Sequence, residues 1–232
     1  MKNISTDKFN LSNDFLTFAL TNNILRFGKF KTKAGRLSPY FFDMGKFSNS
    51  KLLTKLGEFY SKKIQMLAKS DLCDPECLFG PAYKGIPLIC STAIAMRENK
   101  SINFAYNRKE EKKHGEGGII VGNVAKKNVF ILDDVISAGL SITQSIKLIQ
   151  EEGGVPICAI VALDRMERPT DSEEKKLISS KEITKKTGVP VFSISNVLEL
   201  KENLSNKKTP ESKQQLLSLQ NYLKKWGNKF DN

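Results

Sequence analysis

Asp133 and Asp134 stand side by side where an apolar run, Val129-Phe-Ile-Leu132, gives way to the small residues Ser137-Ala-Gly139. Four consecutive apolar residues predict a strand buried on both faces, with the two carboxylates at its end. Beyond the small-residue loop, Ile142, Ile146 and Ile149 repeat at helical spacing, and Ser141 is placed to cap that helix. A strand, a tight loop and a helix N-terminus in succession make an anion cradle, because backbone N–H groups point outward and the helix dipole favours negative charge. Two carboxylates beside such a cradle do not suit the phosphate. They suit the hydroxyls of a sugar joined to it, or a metal.

Three further segments carry chemistry. Gly80-Pro-Ala-Tyr-Lys-Gly-Ile-Pro87 again follows a short apolar strand and precedes a helix. Gly80 and Gly85 permit close backbone approach, and Lys84 adds a point charge. Two phosphate-type loops at one end of one sheet fit the rule that ligands collect outside the carboxyl ends of parallel strands. The tract Asn107-Arg-Lys-Glu-Glu-Lys-Lys-His-Gly-Glu-Gly-Gly118 has no apolar residue. It reads as a solvated loop, or as a mobile cover that brings Arg108, Lys109, Lys112 and His114 over an anion. The segment from Phe30 to Asp43 places Phe41 beside Phe42. Adjacent aromatics fit one buried and one edge-facing ring, or a slot for a flat ligand.

The elements that must position these residues are legible in outline. Ser12 precedes a helical pattern of Phe15, Leu16, Ala19, Leu20 and Ile24, and Gly28 to Asp43 reads as a hairpin around Lys33-Ala-Gly-Arg36. An amphipathic helix is predicted over Ser50 to Lys69, a strand at Cys77-Leu-Phe79, and a helix starting near Pro87. Strands follow at Ile102 to Tyr106, Ile119 to Val121, Ile157 to Leu163 and Val189 to Ser193, with a helix stop at Gly153-Gly154. Lys201 to Lys213 reads as a loose loop, and Glu211 to Trp226 as a final polar helix. Strands alternating with helices predict an α/β fold, a parallel sheet with helices on both faces.

Composition narrows the classes. The chain has 232 residues, 40% of them hydrophobic, which is enough for a substantial core. Its net charge of +12 comes nearly all from lysine, and only six arginines are present. The lysines are scattered, with a concentration in the C-terminal third; a solvated basic surface and service to an anionic substrate are both compatible with this. Cys73, Cys77, Cys90 and Cys158 form no C-x-x-C pair and there is one histidine, so reduced and mostly buried thiols are expected rather than a zinc site. Met1 to Asn10 is polar, without a signal-peptide core, and the near-apolar run Gly85 to Met96 is too short to span a bilayer. A cytoplasmic protein is expected.

In combination and in order, four motifs resemble the orotate phosphoribosyltransferase family. They are Lys33-Ala-Gly-Arg-Leu-Ser-Pro-Tyr-Phe-Phe42, Gly80-Pro-Ala-Tyr-Lys-Gly85, the tract from Tyr106 to Gly118, and Asp133-Asp-Val-Ile-Ser-Ala-Gly139. The resemblance runs from about Leu25 to Arg168 and more faintly through the final helix. The acidic motif alone would indicate only the wider phosphoribosyltransferase group; the first and third motifs narrow it. The resemblance implies a type I phosphoribosyltransferase fold: a parallel twisted sheet flanked by helices, with a small N-terminal hood. It implies one domain over 1–232, with the hood at about 1–45, the core at about 46–200 and a C-terminal loop and helix at about 201–232.

The activity implied is transfer of the 5-phosphoribosyl group from phosphoribosyl pyrophosphate (PRPP) to orotate, giving orotidine 5′-monophosphate and pyrophosphate in pyrimidine synthesis. Asp133 and Asp134 would contact the ribose hydroxyls. Val135, Ile136, Ser137, Ala138, Gly139, Leu140 and Ser141 would hold the 5-phosphate. Tyr83 and Lys84 would help seat pyrophosphate, and Arg108, Lys109, Lys112 and His114 would form the lid, with Lys112 the catalytic side chain. Lys33 would reach PRPP and the orotate edge. Phe41, Phe42 and Ser137 would border the base, and Arg165 would face orotate. Magnesium would be held mainly by substrate and water, and the lid would reach the neighbouring site of a homodimer. Ser137 and Leu140 stand where the family usually has threonine; the second change removes a side-chain contact to the 5-phosphate. Two other readings stay open: transfer to a purine base, and a regulator that keeps the fold and binds RNA. Arg165 favours a carboxylated base, and a water-excluding cover favours an enzyme.

Overall fold

Alternation along the buried strands divides the interior into two apolar layers, and this decides where every helix must lie. The computed structural model describes residues 4–32, 35–70, 72–97, 101–112, 118–169 and 177–227. The chain opens with α1 (Ile4–Thr21) and the antiparallel pair β1 (Leu25–Lys31) and β2 (Leu37–Phe42). It continues through α2 (Ser50–Ala68), β3 (Cys77–Gly80), α3 (Gly85–Met96), β4 (Asn103–Lys112), β5 (Gly118–Val121) and β6 (Asn128–Ile136). It closes with α4 (Leu140–Glu151), β7 (Val155–Asp164), α5 (Ser179–Thr187), β8 (Val191–Asn196), α6 (Val197–Lys207) and α7 (Pro210–Trp226).

The main sheet has six strands in the order β5-β4-β3-β6-β7-β8. β4, β3, β6, β7 and β8 run parallel, and β5 is antiparallel to β4. The sheet is therefore mixed at one edge rather than wholly parallel. Val129 and Ile131 pack with Ile142, Ile146 and Ile149 of α4 and Ile183 of α5. Phe130 and Leu132 point the other way, into the larger layer formed with α1, α2, α3, α6 and α7. Among the described residues no helix is long and apolar enough to cross a membrane.

Several expectations need correction. Ser12 does not precede the first helix. It lies inside α1, buried, where its hydroxyl donates to Ser195 Oγ at 2.9 Å or Glu199 Oε2 at 2.7 Å. Residues 201–207 are helical rather than a loose loop. Asn196 and Glu199 form a capping box, and Val197, Leu200 and Leu204 bury an apolar stripe. α5 has no counterpart in the expected elements.

Candidate active site

Sequential strands turn in opposite directions from β3: the chain goes to β4 on one side and later to β6 on the other. Open α/β sheets form their crevice at such a reversal, outside the carboxyl ends of the strands. The loops after β3 and β6 flank this point. Lys84 Nζ joins them, with a 2.8 Å ion pair to Asp134 Oδ2.

β6 continues through Ile136, so the aspartates lie within the extended strand and not beyond its end. The carboxylates themselves sustain the backbone there. Asp134 N donates to Asp133 Oδ1 at 2.9 Å, and Val135 N donates to Asp134 Oδ1 at 2.8 Å. From beneath, the hydroxyl of fully buried Tyr60 donates to the Asp133 carbonyl at 2.6 Å. Burial, reinforced by the Asp134 charge, pushes the Asp133 carboxyl up to about 7, with Ser141 pulling the other way. Adjacent carboxylates can accept from paired sugar hydroxyls. A buried one of raised pKa is also a recognised mark of a functional cleft.

The loop after β6 is open to solvent at Ser137, Ala138, Leu140 and Ser141, while Ile136 is buried and Val135 half-buried. Gly139 takes φ +75°, and a Cβ there would lie 2.4 Å from Ile183 Cδ1. Gly139 rather than Ser141 is the N-cap of α4, without a side-chain cap; Ser141 lies in the first turn. The Ser137 carbonyl accepts a hydrogen bond from Ser179 Oγ, which fastens the loop to the start of α5.

After β3, Gly80 and Gly85 touch. A Cβ on Gly80 would lie 2.3 Å from the Gly85 carbonyl oxygen, so neither position admits a side chain without a shift. Asn107 Oδ1 accepts from Ala82 N at 2.9 Å and pins this loop to β4. Tyr83 stands out into solvent, with Lys109 Nζ 4.7 Å from its ring centre.

The polar tract proves to be half strand. Arg108 and Lys109 lie on β4, which pairs with β5 through Lys112 and Gly118, and Arg108 Nη1 donates to the Gly118 carbonyl at 3.3 Å. The expectation of a loop from Asn107 fails because pairing with β5, whose Ile120 packs against the core, extends this arm as strand. Lys112 is described by its backbone alone. Lys33 and His114 lie outside the described residues.

The base-side expectations divide. Phe41 is exposed and stacks on Phe30 at 5.4 Å, with the Arg26 guanidinium 5.9 Å from each ring. Phe42 does not border an open face; it is buried and packs against Phe15 and Phe47. The period-two alternation of β2 turns Ser38, Tyr40 and Phe42 inward and leaves Phe41 out. Arg165 is buried at the end of β7, held by Glu167 at 2.7 Å and by Ser38 at 2.9 Å.

Tyr60, Asn107, Glu167, Ser179 and Tyr222 support the site and were not singled out from the sequence. Only Glu167 left a trace, as an acid between Arg165 and Arg168 just after a buried strand. Among the described residues no group of three or more His, Cys, Asp or Glu could hold a metal ion. Asp133 and Asp134 place carboxylate oxygens at the strand reversal, a donor type that suits magnesium when a ligand and water complete the shell.

Comparison with known proteins agrees with this geometry. Residues 49–195 match the phosphoribosyl transferase domain family. The chain is 43% identical over 228 residues to the orotate phosphoribosyltransferase of Polynucleobacter necessarius, covering 97% of this chain and 100% of that protein. It is 46% identical over 217 residues to the orotate phosphoribosyltransferase of Neisseria meningitidis serogroup C, covering 92% and 96% respectively. The crystal structure of orotate phosphoribosyltransferase from Francisella tularensis superposes with a TM-score of 0.77 at 30% identity, covering 93% of this chain and 100% of that one.

Proposed function

The chain belongs to the orotate phosphoribosyltransferase family, and from that membership we propose how its own residues carry out the transfer. PRPP and orotate are the substrates, and orotidine 5′-monophosphate and pyrophosphate the products, in pyrimidine (UMP) synthesis. The observation that carries the reading is the Asp133–Asp134 pair at the β3/β6 reversal, with Lys84 of the neighbouring glycine loop on Asp134.

In this reading Asp133 and Asp134 accept from the ribose hydroxyls. The backbone from Val135 to Ser141, at the start of α4, holds the 5-phosphate. Tyr83 and Lys84 meet the diphosphate. Displacement at ribose C1 by a pyrimidine nitrogen spreads positive charge over the ring and gathers negative charge on the leaving group. The carboxylates favour the first, and Arg108, Lys109, Lys112 and His114 the second. Lys33 reaches PRPP and the base, Phe41 and Ser137 border the base, and Arg165 faces its carboxylate. Asp133 and Asp134 would stand beside a magnesium ion brought in with substrate, which would supply charge neutralisation for the leaving group. A homodimer whose lid arm reaches the neighbouring site, and residence in the cytosol, complete the proposal.

Release of pyrophosphate that requires orotate, PRPP and Mg²⁺ together is the expected result. Turnover with adenine or hypoxanthine in place of orotate would refute the base assignment. Each charge-assisted hydrogen bond to the leaving group supplies about 1.5–3 kcal/mol, so Lys112→Ala is expected to lower kcat on the order of tenfold to a hundredfold while orotate binding changes far less. Equal losses in both would refute the role of Lys112.

A further inference from the structure

Arg165 is embedded in a cluster that reaches the opposite end of the chain. Its Nε donates to Glu167 Oε1 at 2.7 Å, and its Nη2 lies 2.9 Å from Ser38 Oγ and 3.5 Å from the Tyr222 hydroxyl. Tyr222 in turn donates to Glu167 Oε1 at 2.8 Å. The guanidinium carbon stands 4.3 Å from the centre of the Tyr40 ring. Three separate segments therefore fix one side chain: β2 through Ser38, the turn after β7 through Glu167, and α7 through Tyr222.

Glu167 serves two cations at once. Arg36 Nη1 also reaches Glu167, at 3.3 Å, so two buried guanidiniums share one carboxylate. Buried charges are normally paired. Nη1 of Arg165 has no hydrogen-bond partner among the described residues. An anionic group on the base would give the Nη1 edge of Arg165 a partner. Tyr222 stays an uncharged donor, since burial and Glu167 push its phenol up to about 12. α7 is itself seated by this region: Arg168 N donates to the Trp226 carbonyl at 2.9 Å, and the Arg36 guanidinium lies 4.4 Å from the Trp226 ring.

We propose that Ser38 and Tyr222 are positioning residues that aim Arg165 at the carboxylate of the base, so that the C-terminal helix takes part in selecting a carboxylated pyrimidine. The inference rests on the reading that Arg165 faces the base. Neither residue touches the reacting atoms; each acts by restricting the guanidinium to one orientation before the base arrives.

The test compares Tyr222→Phe, Ser38→Ala, their double variant and Arg165→Ala. It measures kcat, KM for both substrates, inhibition by uracil (which keeps the ring and lacks the carboxylate) and thermal unfolding. Each single positioning variant removes one hydrogen bond to the Arg165 guanidinium, so KM for orotate should rise about three- to tenfold, and further in the double variant. KM for PRPP and inhibition by uracil should hold steady, which a merely structural role does not predict. Unchanged KM for orotate in both single variants, or a rise in step with KM for PRPP and with weaker uracil inhibition, would overturn the inference. Arg165→Ala separates the two levels. If it leaves KM for orotate unchanged, the base-facing reading fails and the inference with it. If it raises that KM while Tyr222→Phe and Ser38→Ala do not, the inference alone fails.

Discussion

Asp133→Asn should stabilise the ligand-free protein above pH 7 while removing its grip on the sugar. Burial and the neighbouring Asp134 charge raise the Asp133 carboxyl from 3.8 to about 7. The folded state therefore holds a proton that the unfolded chain has released, and stability falls as pH climbs through that window. Three pH units correspond to about 4 kcal/mol at most. Because the effect is shared with Asp134, about 2–4 kcal/mol is the working range above pH 7. Asn keeps the Oδ1 acceptor used by Asp134 N and offers an amide donor to the Asp134 carboxylate, so the variant leaves no obvious orphan. For a chain of this length the gain corresponds to about 4–16 °C in Tm.

Melts of both proteins at pH 8 and pH 5 check the reasoning. The gain at pH 5 should be less than half that at pH 8, since most of the window then lies above the working pH. Adding PRPP and Mg²⁺ at ~100 Kd should stabilise the native protein by ~2.7 kcal/mol and the variant hardly at all. A variant that melts at or below the native protein at pH 8, or gains equally at both pH values, would refute the assignment of strain to this carboxylate.

Three smaller perturbations probe the scaffold. Gly139→Ala places a side chain at φ +75° and a methyl 2.4 Å from Ile183 Cδ1; a loss of about 1–3 kcal/mol, read by urea unfolding, should accompany a higher KM for PRPP. Asn107→Ala removes the acceptor for Ala82 N, and KM for PRPP should rise about tenfold while KM for orotate holds; no change would show that the glycine loop needs no such pin. Tyr60→Phe deletes the donor to the Asp133 carbonyl and should cost about 0.5–1.5 kcal/mol in denaturant melts.

The catalytic end of the sheet was legible because its signals are local. An apolar run ending in Asp133 and Asp134, the glycines at 80, 85 and 139, and the isoleucine repeat of α4 each act over a few residues. What was misread depends on contacts distant in sequence. Ser12 looks like a helix cap until Ser195 and Glu199 arrive to bury it. The tract after Asn107 looks unstructured because strand pairing needs β5 as well as composition. Phe42 could be sent to the core only once the register of β2 against β1 was fixed. The contact between Glu167 and Tyr222 joins residues 55 apart, so spacing along the chain does not expose it.

The two aspartates are also energetically unlike, and the difference suits what each must do. Asp134 is paired with a lysine whose side chain is 62% exposed, and pairs of that kind are worth about 0–1 kcal/mol. Lys84 can therefore leave Asp134 for an incoming diphosphate at little cost, and its departure uncovers a carboxylate beside the sugar. Asp133 pairs with no cation among the described residues, and burial with the Asp134 charge presses its carboxyl toward the protonated form. A hydroxyl donor or a nearby cation arriving with the substrate relieves that penalty, so part of the binding free energy comes from the electrostatic cost that Asp133 carries in the folded protein. The two loops at the strand reversal thus divide the work. The glycine loop supplies a charge that can be released, and the β6 end supplies a buried carboxyl whose charge is favoured only once ligand arrives.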